Sequence, residues 1–129
     1  MTANTQHIMP ETDIDFLTEK GFDFEEHQTG GEVFLIIHNF PLPGHYIPGA
    51  CELLLKLPAG FPNANPDMFW TSPHVQLANG QTPVAADVTE VYLGRPWQRW
   101  SRHCTSWRAG VDNLRSKIRS VKVELEQGR

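Results

Sequence analysis

Apolar residues recur with helical spacing near the C-terminus, and this pattern constrains the fold more than any other feature of the chain. The residues occupy positions i, i+3, i+7, i+10 and i+14: Val111, Leu114, Ile118, Val121 and Leu125. This spacing places them on one face of an α-helix, with Asp112 in the first turn, where the helix dipole favours an acid. Because an apolar helix face must be buried, the rest of the chain has to supply a layer for it to cover.

Short strands are predicted upstream of this helix. Phe22–His27 alternates aromatic and polar residues, and Glu32–Phe40 is rich in β-branched and aromatic residues, with a Thr29–Gly31 turn between them. Ala50–Leu57 is a third, apolar strand, and Asp67–Thr71 is a short fourth one. Sequential short strands favour an antiparallel sheet with helices on one face. The predicted fold class is therefore α+β, a four-stranded antiparallel meander flanked by an N-terminal and a C-terminal helix.

Two further stretches complete the prediction. Thr12 is placed to cap a first helix that runs to about Lys20, where Gly21 stops it. Residues 72–99 show no clear period, and within them Val88–Leu93 is the best candidate for an extended segment.

The length of 129 residues suits one domain, with residues 1–10 as a flexible tail and residues 11–129 as the folded unit. No apolar run approaches the roughly 20 residues that span a bilayer, and the N-terminus lacks the apolar core of a signal peptide. We therefore expect a soluble, cytoplasmic protein with no membrane partner. Two cysteines are too few for a disulfide scaffold, and Cys51, inside an apolar run, is expected to be a buried structural thiol.

Charge is distributed unevenly along the chain. Residues 1–32 hold eight acids and one base, whereas residues 95–129 hold nine of the eleven Lys and Arg residues and only three acids. One interpretation is that the basic part packs near the acidic part or forms a solvated helix face. The other is a basic surface for an acidic partner.

Tryptophan and arginine alternate in the segment before the last helix. The residues are Trp97, Trp100 and Trp107, and Arg95, Arg99 and Arg102. The tryptophan spacing is compatible with one buried face of a helical turn. Because Trp and Arg are enriched at binding hot spots, Arg95, Trp97, Arg99, Trp100 and Arg102 are also candidate partner-binding residues. The net charge of −4 and the lack of another basic cluster argue against nucleic acid.

No cofactor and no metal are predicted. The potential metal ligands are His38, His45, His74, His103, Cys104 and Asp67. They show none of the tight spacings that mark metal sites, and Gly30-Gly31 is a hairpin turn rather than a phosphate-binding loop.

Four stretches together resemble the prokaryotic ubiquitin-conjugating-enzyme-like proteins of family E. They are Phe61-Pro62, Pro66–Trp70, Trp97–His103 and Trp107-Arg108. Their order resembles the aromatic-proline loop, short strand and tryptophan-led approach to the next helix in that fold. The resemblance covers roughly residues 20–125.

This resemblance implies a ubiquitin-conjugating-enzyme-like fold and a carrier role in a bacterial conjugation pathway. Such a carrier accepts the C-terminus of a ubiquitin-like or multi-ubiquitin protein from an activating enzyme, as a thioester, and passes it to an acceptor amine. The reaction needs a thiolate as nucleophile and a donor that steadies the oxyanion.

The sequence departs from the family's pattern at two places. Ser72–His74 stands where the asparagine of a His-Pro-Asn motif is expected, and Gln81–Pro83 stands where the cysteine is expected. The remaining candidate nucleophile is Cys104, with His103 as a proton-transfer or orienting partner. His74 is a candidate contributor to the same site from across the loop.

Two other functions stay open. A non-catalytic adaptor would keep the fold and bind the ubiquitin-like protein or the activating enzyme, and the empty cysteine position motivates this alternative. A cysteine-dependent hydrolase is the third possibility, although the sequence names no residue that would orient His103.

Overall fold

The computed structural model describes residues 9–103 and 106–129, which form two helices with eight strands between them. In chain order the elements are α1 (Glu11–Glu19), β1 (Asp23–Thr29), β2 (Glu32–Pro41), β3 (Tyr46–Ile47), β4 (Ala50–Leu57), β5 (Phe69–Ser72), β6 (Gln76–Leu77), β7 (Val88–Tyr92), β8 (Arg95–Trp100) and α2 (Leu114–Glu126). The predicted α+β class, an antiparallel sheet flanked in the sequence by an N-terminal and a C-terminal helix, is confirmed. In these described ranges no helix is long and apolar enough to cross a bilayer.

Six strands form one antiparallel sheet in the order β1-β2-β4-β5-β8-β7. The first four are the predicted meander, and the β7–β8 hairpin extends it by two strands. Strand β8 pairs with β5, so that Trp100 lies opposite Phe69 and Gln98 lies opposite Thr71. Strands β3 and β6 pair separately, outside the main sheet.

Both faces of the sheet are apolar, which accounts for the unbroken apolar runs in β2 and β4. Leu35 and Ile37 belong to the core that both helices cover, whereas Phe34 and Ile36 point to the opposite, outer face. The outer face carries a smaller buried cluster: Phe34, Ile36, Leu54, Trp70 and Trp97.

Trp97 and Trp100 lie on strand β8, so the prediction of a helical turn is wrong. Side chains alternate along a strand, and residues three apart therefore point to opposite faces. Trp97 joins the outer cluster and Trp100 joins the helix-covered core, and both are almost fully buried. Two tryptophans three positions apart can both be buried on one face of a helix or on the two faces of a sheet. Their spacing alone therefore does not distinguish a helix from a strand.

Helix α1 begins at Glu11, one residue before the predicted cap. Pro10 occupies the N-cap position, and Thr12 lies inside the first turn. Gly21 stops the helix as predicted, with a positive φ of 75° that favours glycine. Met9, which belongs to the predicted tail, is buried in the core, and its backbone N–H donates to Glu26 at 3.2 Å. Residues 1–8 of that tail lie outside the described residues.

Helix α2 begins three residues later than the apolar pattern predicts. Asn113 and Ser116 form a reciprocal capping box that fixes its start at Leu114. Val111 is 60% exposed, and Asp112 lies in the turn before the helix rather than in its first turn. The remainder of the predicted face is buried as expected: Leu114, Ile118, Val121 and Leu125.

A buried side chain, that of Gln98, fastens the loop of residues 75–86 to the sheet. Its Oε1 accepts hydrogen bonds from the Thr71 hydroxyl (2.9 Å) and the Val75 N–H (2.7 Å). Its Nε2 donates to the carbonyl oxygens of Val75 and Ala86, both at 3.0 Å. A primary amide has two donor hydrogens and two acceptor lone pairs, so this environment uses its full capacity.

We predict that Gln98→Met destabilises the protein by about 3 kcal/mol, because the shape is nearly conserved while buried N–H and C=O groups lose their partners. Urea unfolding followed by circular dichroism measures the change. The exposed Gln76→Met is the matched control and should shift stability by less than about 0.5 kcal/mol. Equal stabilities of the two variants would contradict this assignment.

Candidate functional site

The segment of residues 101–113 connects β8 to α2 and contains the candidate nucleophile predicted from the sequence. Its beginning is fixed by Ser101, whose N–H donates to the carbonyl oxygen of Ala85 at 2.8 Å. Cys104, the predicted nucleophile, lies with Thr105 outside the described residues. The residues before and after these two are described.

Arg102 clamps the start of this segment to the end of α2. Its guanidinium lies 4.7 Å from the ring centroid of Trp100, donates to the carbonyl oxygen of Val84 at 2.9 Å, and pairs with Glu124 at 3.6 Å. Only 6% of the side chain is exposed. Arg102 therefore sets the direction in which the chain leaves the sheet.

The far end of the segment is held by the proline-rich loop that precedes β5. The indole N–H of Trp107 donates to the carbonyl oxygen of Pro62 at 2.9 Å, and its ring packs against Phe61 with centroids 6.3 Å apart. The Asn63 side chain accepts a hydrogen bond from the Gly110 N–H at 3.1 Å. The loop and the segment are thus one packed unit.

His103 and Asp67 are in direct contact within this unit. The Nδ1 atom of His103 lies 2.6 Å from Oδ2 of Asp67, at the short end of hydrogen-bond lengths and typical of a charged acceptor. Asp67 precedes Met68, which has a positive φ of 64° and accepts a hydrogen bond on its carbonyl oxygen from the buried Lys117 ammonium at 2.8 Å. Helix α2 therefore supports the backbone that presents Asp67.

This pair is not predicted from the sequence, because its members are 36 positions apart. The signal that could have found it is strand register: with Phe69 opposite Trp100, Asp67 falls near the residues that follow β8. Predicting that register requires recognising β8 as a strand.

Two clefts separate the segment from α2. One has a volume of about 380 Å³, and the other, adjoining it, about 270 Å³. Ser106, Ser116 and Ser120 line both, and His103, Lys117 and Arg119 line the larger one. His103 therefore stands at the edge of a cleft that is lined by both polar and apolar side chains.

Comparison with protein families gives one decisive match. The model of the family described as "Prokaryotic E2 family E" matches residues 9–128, nearly the whole chain. The chain belongs to the prokaryotic E2 family E. Comparison with curated proteins and with solved structures gives no match.

Family membership confirms the resemblance found in the sequence and indicates a role in a ubiquitin-like conjugation pathway. It implies, in general terms, interaction with a ubiquitin-like protein and an activating enzyme.

The two cysteines differ in what they offer such chemistry. Cys51 is 4% exposed on β4, and burial, with a smaller contribution from Glu52, raises the pKa of its thiol to about 12. The prediction of a buried structural thiol is confirmed, since a thiol with this pKa is not a thiolate at neutral pH. Cys104 is the other cysteine of the chain.

His74 is not brought to the Asp67–His103 pair. It is exposed and follows Ser72 at the end of β5, whereas Asp67 precedes the opposite end of that strand. Among the described residues no hydrogen bond or ion pair joins His74 to either member of the pair. A shared site would require His74 to reach past the length of β5, which is why the expected contribution from across the loop is not seen.

The five predicted partner-binding residues have different environments. Trp97 and Trp100 are almost fully buried, and the Arg102 guanidinium is engaged in its contacts with Trp100, Val84 and Glu124. Arg95 and Arg99 are partly exposed on the outer face of the sheet, where they pair with Glu52 and Glu90 respectively. The part of all five residues in partner binding stays a prediction.

His38, another of the potential metal ligands, lies away from the Asp67–His103 pair. It lies on the outer side of the sheet, with Nδ1 2.9 Å from Glu52 and Nε2 2.7 Å from Glu25. The hydrogen bond that His38 donates to Glu52 favours the protonated ring and raises the pKa of His38. Within residues 9–103 and 106–129, no three potential metal ligands form a group that could hold an ion.

Proposed function

We propose that this protein carries a ubiquitin-like protein as a thioester, or a related acyl adduct, in a bacterial conjugation pathway. Cys104 is the proposed nucleophile, His103 its proton acceptor and Asp67 the residue that orients His103. The observation that carries the proposal is the 2.6 Å contact between Asp67 and His103, because His103 directly precedes the one cysteine that is not buried in β4.

The proposed transfer is a thioester exchange. The Cys104 sulfur attacks the carbonyl carbon at the C-terminus of the ubiquitin-like protein, which the activating enzyme holds on its own cysteine. A new S–C bond forms, the old S–C bond breaks, and the departing sulfur takes up a proton. An acceptor amine later attacks the same carbon and releases the Cys104 thiol.

The geometry supports a proton-accepting role for His103. Its Nδ1 faces an oxygen of Asp67, so the pair is satisfied when Nδ1 carries the proton and Nε2 is the free acceptor. The cleft beside His103 supports the proposal too, since it offers space for the C-terminal chain of the transferred protein.

A non-catalytic adaptor is the second candidate, and one observation favours it. Residues 81–83, where the family resemblance expects the nucleophile, are Gln-Thr-Pro and lie in the loop after β6. A chain that lost its cysteine there could keep its partners without carrying them. The third candidate, a cysteine-dependent hydrolase, now has an orienting residue in Asp67 and would cleave the adduct rather than form it.

A first test of this proposal concerns the adduct itself. Incubation with the activating enzyme, the ubiquitin-like protein and ATP should give an adduct that reductant removes. Cys104→Ala should abolish it, and Cys104→Ser should replace it with a reductant-stable ester or with nothing. Cys51→Ala is the matched control and should keep the adduct, because the Cys51 thiol is buried.

An adduct that survives Cys104→Ala would rule out the assignment of the nucleophile. Binding of both partners with no adduct under any condition would identify the protein as an adaptor. Loss of a preformed conjugate on incubation would identify a hydrolase.

A second test of this proposal concerns Asp67, which acts through His103. Asp67→Ala should slow single-turnover transfer about 10- to 100-fold, part of what general-base catalysis contributes. Nitrogen-15 NMR should show the Nδ1–H tautomer of His103 in the parent and loss of that preference in the variant. Asp67→Glu should restore part of the rate, and the exposed Asp87→Ala is the matched control.

A merely structural role for Asp67 makes a different prediction. It would lower the amount of folded protein while leaving the His103 tautomer and the rate per folded molecule unchanged. That combination would exclude Asp67 as a positioning residue.

A further inference from the structure

The cationic side chains divide into those that contact an oxygen atom of another group and those that do not. Of the eleven Lys and Arg residues, seven contact a carboxylate, a carbonyl or a hydroxyl oxygen: Lys56, Arg95, Arg99, Arg102, Arg108, Lys117 and Arg129. The other four make no such contact within residues 9–103 and 106–129: Lys20, Arg115, Arg119 and Lys122. All four line one groove.

This groove runs between α1 and α2 and has a volume of about 170 Å³. Its buried floor includes Phe16 and Ile118. Arg115 rests on the Phe16 ring, with the guanidinium carbon 4.5 Å from the ring centroid, and Lys122 reaches to 5.9 Å from the centroid of Phe22. These contacts hold the side chains in place, which lowers the entropy that a ligand would have to remove.

Gathering four cations without counterions raises the electrostatic energy of the folded protein. The chain has fifteen acids with which to neutralise them. Three of these lie exposed on α1, at Glu11, Asp15 and Glu19, yet among the described residues none forms an ion pair with the groove. The basic C-terminal region therefore packs on the acidic N-terminal helix without being neutralised by it.

We propose that this groove is a docking surface for an acidic segment of a protein partner. Carboxylates of the segment would pair with the four cations, and its apolar side chains would cover Phe16 and Ile118. A protein segment fits better than a nucleic acid, because the groove has an apolar floor that apolar side chains of a peptide can cover, whereas a phosphate chain offers only charge.

The groove also adjoins the candidate site. Arg119 lines both the groove and the larger cleft beside His103. A partner held in the groove therefore lies next to that cleft. The docking surface does not depend on thiol chemistry, so it can be tested without the activating enzyme.

The test uses the whole chain, nitrogen-15 labelled, titrated with a short synthetic peptide rich in Glu and Leu. Shift changes should centre on the groove. Arg119→Glu with Lys122→Glu should weaken peptide binding about tenfold, as expected when charge pairs across an interface are reversed. Arg108→Glu with Arg129→Glu is the matched control: it changes the net charge equally at exposed positions and should weaken binding less than about twofold.

Three outcomes would overturn the proposal. The first is an equal loss in the control, which would show that only net charge matters. The second is an absence of binding by the parent chain or shift changes away from the groove. The third is tighter binding of a single-stranded oligonucleotide at the same residues. If the charge reversal prevents folding, Arg119→Gln with Lys122→Gln removes the same charges and should still weaken binding, and unchanged binding there would also overturn the proposal.

Discussion

The four hydrogen bonds of the buried Gln98 amide are the constraint on which the candidate site depends. They fix the loop against β8 at Val75 and Ala86. In the same loop, the carbonyl oxygen of Ala85 accepts a hydrogen bond from the Ser101 N–H. The carbonyl oxygen of Val84 accepts one from the Arg102 guanidinium. The buried Gln98 side chain thereby determines where the chain leaves the sheet. It thus also determines where His103, which follows Arg102, is placed.

The other half of the site comes from the loop before β5. Antiparallel pairing of β5 with β8 brings the residue two places before one strand to the residues just after the other, which is how Asp67 meets His103. The Lys117 ammonium, bound to the carbonyl of Met68, links this arrangement to α2. The same loop also holds the segment after β8, because the carbonyl oxygen of Pro62 accepts a hydrogen bond from the indole N–H of Trp107. Each half is anchored in the sheet or on α2, so the contact is positioned by rigid elements rather than by the connecting segment itself.

Much of the architecture could be predicted from the sequence, and the errors have physical causes. Period-two alternation and apolar runs mark β1, β2 and β4, because those strands are buried on one or both faces. Strand β8 was missed because Trp97 and Trp100 satisfy a helical period and a two-sided sheet equally well. The Asp67–His103 contact was not predicted for the same reason, because a contact between residues 36 positions apart can be inferred only once the strand register is known. The buried state of Cys51 was predictable from its apolar neighbours alone.

The central claim is that Cys104 carries the ubiquitin-like protein beside the Asp67–His103 pair. Tandem mass spectrometry of the adduct, digested under non-reducing acidic conditions, tests it most directly because it locates the acylated residue. The account predicts the C-terminal acyl group of the ubiquitin-like protein on the peptide that contains Cys104. Acylation of Cys51, of a lysine, or of a partner protein only would contradict it.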